Sequence, residues 1–270
     1  MAMSKRRRST LSRRAQYVLL LVVALLLAFI ADWGELRRSF FDVDTAREMF
    51  PGILTVAFKN TLLYTAFGFA IALALGLVLA LMKLSSVAPY RWLATIYIEF
   101  FRGVPALLVF IAIDTAVPLA FGIAFDTASK AGVALGLAGG AYIAETIRAG
   151  IQAVPKGQIE AARSLGMSPF RTTVTVVIPQ AFRIVLPPLT NELILLTKDS
   201  SLISVVGLTR AEYELTKFGR ETLSQNPTLT PILVAGLCYL IITLPLGHLS
   251  RHLERRTGGK KIKTPASTEV

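Results

Sequence analysis

Residues 154–188 read VPKGQIEAARSLGMSPFRTTVTVVIPQAFRIVLPP. This polar stretch interrupts an otherwise apolar chain, and its glycine and prolines predict two short helices joined by a tight turn. Pro155 is placed for the first turn of one helix, where its missing N–H leaves no hydrogen bond unmade. Gly166 suits a left-handed helix end. Ser168-Pro169 has the form of an N-cap and a first-turn proline, so a second helix is predicted to start at once.

The first of these helices is predicted to expose a small apolar knob with a charged rim. The knob consists of Ala161, Ala162 and Leu165, and the rim of Glu160 and Arg163. A surface of this kind is suited to insertion into a groove on another protein. The second helix is expected to run towards Pro179. The hairpin is therefore interpreted as a docking element.

Apolar runs extend outward from this hairpin in both directions. The 270 residues are 53% hydrophobic and 17% charged, with a mean hydropathy of +0.58, which excludes an ordinary soluble domain. The runs cover residues 17–31, 53–82, 93–121, 131–149, 184–208 and 229–249. Because a helix rises ~1.5 Å per residue and a bilayer core is ~30 Å thick, they predict an all-α polytopic membrane protein with about six transmembrane helices.

Positive charge is concentrated at the two ends of the chain. The net charge is +12, and basic clusters that flank apolar runs are typical of cytoplasmic anchors in contact with membrane lipids rather than of nucleic-acid binding. Both termini are predicted to be cytoplasmic in a cell membrane. The first apolar run also has the form of a signal peptide, with a small-residue exit at residues 28–31, but we expect it to be retained as a helix.

The predicted organisation has four parts. They are a basic N-terminus at 1–16, a first helix and external loop at 17–50, a transmembrane domain at 51–250 that contains the loop 154–180, and a basic cytoplasmic tail at 251–270, which is predicted to be disordered from Thr257. Within the domain, Pro105 is expected to bend the third span. Gly132, Gly136 and Gly140 share one helix face and predict a close helix contact at the centre of the bundle.

The sequence offers no bound cofactor and no metal site. Its single cysteine, Cys238, excludes an internal disulfide framework. His248 and His252 are four residues apart but have no evident third ligand, so an interfacial pair is the preferred interpretation. Gly258-Gly-Lys-Lys lacks the earlier glycine and the hydroxyl of a phosphate-binding loop. Any energy for work must therefore come from a partner.

The hairpin resembles a known motif. Glu160-Ala161-Ala162, then three residues, Gly166, nine residues, and Val176-Val177-Ile178-Pro179 are similar to the EAA loop of permease subunits of bacterial binding-protein-dependent ABC importers. The family usually has Ile and Leu where this chain has Val176 and Ile178, which are conservative departures.

Further segments resemble the polar amino-acid branch of that family and together cover roughly residues 50–250. They are residues 97–105, 142–150, 154–158, 187–192 and 196–202. Two departures concern the third span. Val104 stands where the family commonly has Thr, and residues 110–118 lack the Gln and aromatic residues often found there, which leaves the substrate open.

The resemblance implies a type I importer permease with a five-helix core and an added N-terminal helix, paired with itself or with a similar chain. It implies two cytoplasmic ABC ATPase subunits, which bind ATP and Mg, and an extracytoplasmic solute-binding protein that delivers a polar amino acid. ATP-driven closure of the ATPases would rock the permease between inward-facing and outward-facing states. The residues implied in ATPase coupling are Glu160, Ala161, Ala162, Arg163, Leu165 and Gly166.

Charged and polar residues inside the predicted spans are candidates for a substrate path or gate, because charge is costly there. The candidates are Glu99, Arg102, Glu145, Asn191, Glu192, Lys198 and Asp199. Glu99 with Arg102, and Glu145 with Arg148, are equally consistent with ion pairs between residues three apart in one helix. The residues of the fifth span are harder to explain as structural, because that span follows the docking loop directly.

Two other classes of function were weighed. An ion-coupled secondary carrier should show repeated halves with broken helices in corresponding positions, and the sequence has neither. A membrane-embedded enzyme needs a converging set such as H-E-x-x-H or a Ser/His pair at membrane depth. The only two histidines lie together near one boundary. A noncatalytic transport subunit is therefore the leading prediction.

Overall fold

The computed structural model describes residues 5–123 and 125–257, with side chains from residue 15 onward and at Arg13. Over these ranges the chain is helical and contains no strand. The helices are α1 (Lys5–Ile30), α2 (Trp33–Phe40), α3 (Val43–Met49), α4 (Lys59–Leu84), α5 (Ala88–Gly103), α6 (Ala106–Ile111), α7 (Val117–Phe121), α8 (Thr127–Gln152), α9 (Lys156–Ser164), α10 (Pro169–Thr172), α11 (Ile178–Asp199), α12 (Leu215–Gln225) and α13 (Thr230–Thr257). The predicted disorder of the tail and Gly258-Gly-Lys-Lys fall in residues 258–270, outside these ranges.

Five segments of the described chain have the length and apolar composition of membrane spans. Three are continuous helices, namely Ile53–Leu84, Pro169–Val205 and Thr230–Arg256. Two are bent pairs, in which Ala15–Ile30 meets Trp33–Met49 at 81° and Ala88–Gly103 meets Ala106–Phe121 at 104°. The 26-residue α8 is long enough to be a sixth span, although its many glycines and alanines make it less apolar. The predicted all-α polytopic fold is confirmed.

Helix α8 lies at the centre of the bundle against α4. Its glycines at 132, 136 and 140 lie in turn against Phe67, Ile71 and Leu75 of α4. Because the contacts advance by one turn on both helices, α4 and α8 run parallel. A Cβ at Gly140 would lie 3.0 Å from the Leu75 side chain, so the missing side chain is what allows this close approach. The small-residue face therefore packs as the sequence predicts.

The third apolar run forms a corner. A bend at Pro105 was expected, but the angle of 104° between α5 and α6–α7 is far larger than a kink. The intervening residue Val104 is extended, with ψ of 133°, because a residue before proline is excluded from helical geometry. The run is therefore two helices joined at a corner, which places Arg102 next to the break.

The fifth span begins earlier than predicted. The second helix of the hairpin was expected to run towards Pro179 and the fifth span to begin at residue 184, yet Pro169–Val205 forms one membrane-length helix of 37 residues. A wide π-helical turn at Thr173–Val177 directly precedes this proline. A widened turn accommodates the missing N–H and the clash with the preceding carbonyl that would otherwise break the helix. The second helix of the hairpin and the fifth span are therefore one continuous element.

The helix bundle has two ends, the hairpin end and the far end. The hairpin end contains α9 and the adjacent ends of α4 and α8. The far end contains the segments 41–50, 122–123, 125–126 and 206–229. Helix α1 contributes little to the packing, because the side chains of Tyr17 to Ile30 are exposed.

Candidate functional site

The turn of the hairpin is a complete left-handed helix end. Gly166 has φ of +82°. The N–H of Gly166 donates to the carbonyl of Arg163 at 3.0 Å, and the N–H of Met167 donates to that of Ala162 at 3.1 Å. These two bonds are the pair that defines a Schellman motif. The predicted role of Gly166 as the helix stop is confirmed.

The second helix starts where it was predicted. The Ser168 hydroxyl accepts a hydrogen bond from the Arg171 N–H at 3.3 Å, and Pro169 is in the first turn. Pro155, in contrast, is the N-cap of α9 rather than a first-turn residue, a shift of one position. The Gln180 amide donates to the Gln158 side-chain oxygen at 2.8 Å. This bond ties the first helix of the hairpin to the start of α11.

The exposed surface of the hairpin differs from the predicted knob at one residue. Ala161, Glu160 and Arg163 are exposed, and Leu165 has 84% of its surface exposed. Ala162 is only 6% exposed, so its prediction as an exposed residue is wrong. Its small side chain faces the inside of the hairpin, where α9 contacts α10 and the following turn.

Sequence reasoning missed one residue of this surface. Phe170, which directly follows the cap Ser168-Pro169, has 78% of its surface exposed. It provides a second large apolar side chain on the hairpin beside Leu165. The signal available was an aromatic residue in the first turn of the second hairpin helix, directly after its cap. Arg163 also has a local role, because its guanidinium donates to the Met167 carbonyl across the turn.

A cluster of ions fastens α4 to α8 at the hairpin end. The Lys83 ammonium lies 2.6 Å from one oxygen of Glu145, and Arg148 donates to the other at 2.6 Å. Arg148 also donates to the Gln152 side chain at 2.6 Å. The i, i+3 pair considered from the sequence is present, and Lys83 joins it from a neighbouring helix. Glu145 is therefore held between two cations immediately before the hairpin.

Other candidate charges meet near the corner of the third run. Glu192 lies within electrostatic range of both Arg102 and Asp199. Arg102 stacks over the Tyr142 ring at 5.7 Å and, in the described chain, forms no ion pair with Glu99. The i, i+3 pair considered for these two residues is thus absent, and Glu99 is exposed. The broken helix presents Arg102 to α11 instead.

The remaining candidates on α11 line a separate cleft. Asn191 and Lys198 face α13 across a cavity of about 420 Å3. The Ser250 hydroxyl donates to the Asn191 side-chain oxygen at 2.9 Å, which ties the two helices together at the hairpin side of the cleft. Helix α11 therefore has two polar faces, one with Glu192 and Asp199 and one with Asn191 and Lys198.

Residues 72–259 match the family model described as the binding-protein-dependent transport system inner membrane component. The match covers more than half of the chain and includes the hairpin. The chain belongs to this family. It is a permease subunit of an ABC importer, in which the hairpin occupies the position of the EAA loop.

Several members of the family are similar to this chain over most of its length. The permease is 38% identical over 186 residues to the arginine transport system permease protein of Bacillus subtilis strain 168. This alignment covers 69% of the present chain and 84% of the relative. It is 37% identical over 199 residues to the probable glutamine ABC transporter permease protein of the same organism, covering 74% and 90%. A third relative, the L-cystine transport system permease protein, is 36% identical over 213 residues, covering 79% and 90%.

Solved structures agree with this assignment. The permease superposes on a chain from the crystal structure of an amino acid ABC transporter with histidines, with a TM-score of 0.72, 36% identity and coverage of 80% of this chain and 98% of the other. A chain of the inward-facing MetNI methionine ABC transporter gives a TM-score of 0.59 at 20% identity, covering 75% and 93%. The second likeness concerns the fold alone.

Proposed function

We propose that this permease moves a polar amino acid, or a related small zwitterion, across the plasma membrane by alternating access. The names of its relatives support the substrate class, since they are transport proteins for arginine, glutamine and cystine. The substrate carries both charges of an amino acid into a region where bare charge is costly, so it needs fixed polar partners along its route.

The observation that carries the proposal is the hairpin surface. Leu165 and Phe170 present two large apolar side chains that no other part of the described chain covers, and Glu160 and Arg163 lie beside them. Exposed apolar groups with a charged rim are typical of a docking surface. We propose that a cytoplasmic ATPase subunit receives this surface in a groove and that the partner binds ATP and Mg. The permease itself is then noncatalytic.

Because the hairpin helix continues into α11, movement of the docked hairpin would tilt the span that carries the candidate path residues. Arg102 lies at the broken corner, Glu192 is within electrostatic range of it, and Asp199 is two turns further along α11. Irregular backbone at membrane depth is expected only next to protein or a water-filled cavity. We propose this cluster as the substrate path or gate. Asn191 and Lys198 would contribute from the α13 side.

Two other candidates have different settings. Glu145 is held by Lys83 and Arg148 at the hairpin end. This setting favours a role for Glu145 in a gate rather than in the lining of the path. Glu99 is exposed on α5 one turn before the corner, and we propose that it faces a partner permease subunit or the route itself.

The orientation of the permease in the membrane is inferred from the positive charge at the hairpin end. Lys156, Arg163, Arg171 and Arg183 lie on or beside the hairpin, and such positive excess is typical of the cytoplasmic side. We propose that both termini are cytoplasmic and that the far end faces an external solute-binding protein. A second permease subunit, identical or similar, would complete the pathway.

The test is reconstitution of the permease with an ATPase subunit and an amino-acid-binding protein encoded beside it. Proteoliposomes with ATP inside and the loaded binding protein outside should accumulate the bound amino acid. An ATPase variant that cannot hydrolyse ATP should abolish this accumulation. Uptake that persists without ATP, or that follows an ion gradient, would contradict the importer mechanism.

A further inference from the structure

A second site lies at the far end, where α2 meets the start of α13. The Leu229 N–H donates to the Ser39 carbonyl at 2.7 Å, and the Asp42 N–H donates to the Thr230 hydroxyl at 3.0 Å. These bonds hold the segment after α2 against α13. A cavity opens next to this junction on each side, one polar and one apolar.

The polar cavity has a volume of about 650 Å3. Two guanidinium groups, of Arg37 and Arg38, and the Asp42 carboxylate line it. Asp42 already accepts hydrogen bonds from the Asp44 and Thr45 N–H groups and the Thr45 hydroxyl. Within the described chain neither arginine forms an ion pair. One net positive charge therefore remains, which matches the single negative charge of a phosphodiester, and guanidinium binds phosphate well.

The apolar cavity is a groove of about 400 Å3 along the outer face of α13. It runs from Leu229 to Leu240, and Phe40 of α2 also lines it. At ~1.5 Å per residue this length is ~16 Å, close to half of a ~30 Å bilayer core. Gly236 forms part of its floor, and a Cβ there would meet no atom within 4 Å. The groove therefore has the length of one leaflet.

Helix α2 places the two cavities at the right level of the membrane. The segment from Trp33 is bent by 81° from α1, so α2 lies across the direction of the membrane span. Trp33, Leu36 and Phe40 share one face of α2, whereas Arg37 and Arg38 lie on an adjacent arc. Tryptophan at the end of a span and an amphipathic helix across it are typical of the headgroup region.

We propose that this junction binds one phospholipid of the far-end leaflet. Its phosphate contacts Arg37 and Arg38, and one acyl chain lies in the α13 groove over Gly236. Since both cavities adjoin the same junction, the lipid holds α2 and α13 together where they enter the membrane. The occupant is a lipid rather than a second protein helix because the apolar groove adjoins, through Phe40 and Leu229, a cavity whose charge matches a phosphate.

The test measures lipid retention by the full chain with native mass spectrometry after detergent exchange. The probes are phosphatidylethanolamine, phosphatidylglycerol and diacylglycerol, which has the acyl chains but no phosphate. The unmodified chain should retain both phospholipids and lose diacylglycerol. Arg37→Gln with Arg38→Gln should reduce phospholipid retention about tenfold, the factor that 1.4 kcal/mol produces, and should remove the preference over diacylglycerol.

Gly236→Leu fills the groove and should reduce retention of all three lipids. Arg47→Gln, on the same far-end segment, and Ala70→Leu, at an exposed position of α4, are matched controls that should retain phospholipid normally. Unchanged retention in the double arginine variant overturns the proposal. A photo-cross-linking residue placed at position 236 that reacts with peptide instead of lipid overturns it as well. If Gly236→Leu fails to insert into the membrane, the double arginine variant still tests the proposal, because both arginines are exposed and their replacement should not disturb folding.

Discussion

Gly166 is the residue on which the shape of the hairpin depends most directly. Its φ of +82° costs a residue with a Cβ ~1–2 kcal/mol, and no neighbouring atom lies within 4 Å of an added Cβ. The penalty for substitution is therefore one of backbone conformation rather than of space. A chain that avoids it must open the Schellman turn and change the angle between α9 and α10.

We expect Gly166→Val to lose most of the ATP hydrolysis that the binding protein stimulates, because the docking surface is no longer aimed correctly. Gly157→Val is the matched control, since Gly157 is exposed on α9, has open space around its Cβ and no positive φ. Co-purification with the ATPase and stimulated hydrolysis are the measurements. Equal coupling in the two variants would show that the turn geometry is irrelevant.

Glu160 tests the charged rim of the same surface. It is exposed beside Leu165, so we expect it to orient the hairpin in the ATPase groove through an interaction that salt screens. Glu160→Lys should weaken ATPase binding several-fold at low salt and less at high salt. Glu221→Lys, which makes the same change on α12 at the far end, should bind normally. Normal assembly and uptake of Glu160→Lys at low salt would assign the contact elsewhere.

At the scale of elements, the contact between α4 and α8 is the main packing unit. A Cβ at Gly136 would overlap the Ile71 side chain, so Gly136→Val should destabilise the fold by ~1–3 kcal/mol through overpacking. Ala149→Val, on an exposed position of the same helix, should have little effect. Thermal unfolding in detergent measures both. Equal melting temperatures would mean that the helices separate more readily than their packing implies.

The loop 206–214 is a second element held by specific bonds. The Thr127 hydroxyl donates to Glu212 at 2.6 Å, and the Tyr64 hydroxyl donates to the Glu212 carbonyl at 2.9 Å. The Asn60 amide donates to the carbonyls of Ala211 and Tyr213. The loop is thereby fastened to the first turns of α4 and α8. The carboxylate of Glu212 is the ionisable part of this attachment.

The hydrogen bonds from Thr127 and Thr209 lower the pKa of Glu212 below its ordinary value. A lowered pKa in the folded state means that the attachment is fully present above the ordinary pKa and is lost as the pH falls through the lowered value. Glu212→Ala should therefore increase hydrogen exchange of the loop amides at neutral pH and have little further effect in acid. Glu221→Ala is the control. Exchange that is unchanged at neutral pH would show that the loop is held without this carboxylate.

The sequence predicts local features better than contacts between distant residues. The caps at Ser168 and Gly166 and the small-residue face of α8 depend on neighbours in the chain, and all three were found as predicted. The corner at Val104 and the continuity of the hairpin with α11 depend on how the backbone adapts to proline, which a pattern of apolar residues does not encode. The pairing of Lys83 with Glu145 and the proximity of Arg102 to Glu192 required the packed bundle.

At the scale of the whole molecule, the charges in the bundle separate into two zones. Lys83 and Arg148 both pair with Glu145 at the hairpin end. Glu192 and Asp199 lie on α11 instead, where Arg102 is within electrostatic range of Glu192 and Lys198 of Asp199, but neither carboxylate forms an ion pair within the described residues. A carboxylate held in ion pairs stabilises one arrangement of helices, whereas carboxylates that form no ion pair are available to a charged substrate. This difference favours the α11 zone as the path.

The last prediction tests that zone. Glu192→Gln and Asp199→Asn keep the shape of each side chain and remove its charge. Each should reduce uptake about tenfold, the change that ~1.4 kcal/mol in the barrier produces, because the substrate amine or the gate loses a fixed partner. Membrane insertion and ATPase binding should be normal, and Glu221→Gln should transport normally. Full uptake in both variants would make these residues part of the scaffold and would move the search for the path to Glu99, Arg102 and Glu145.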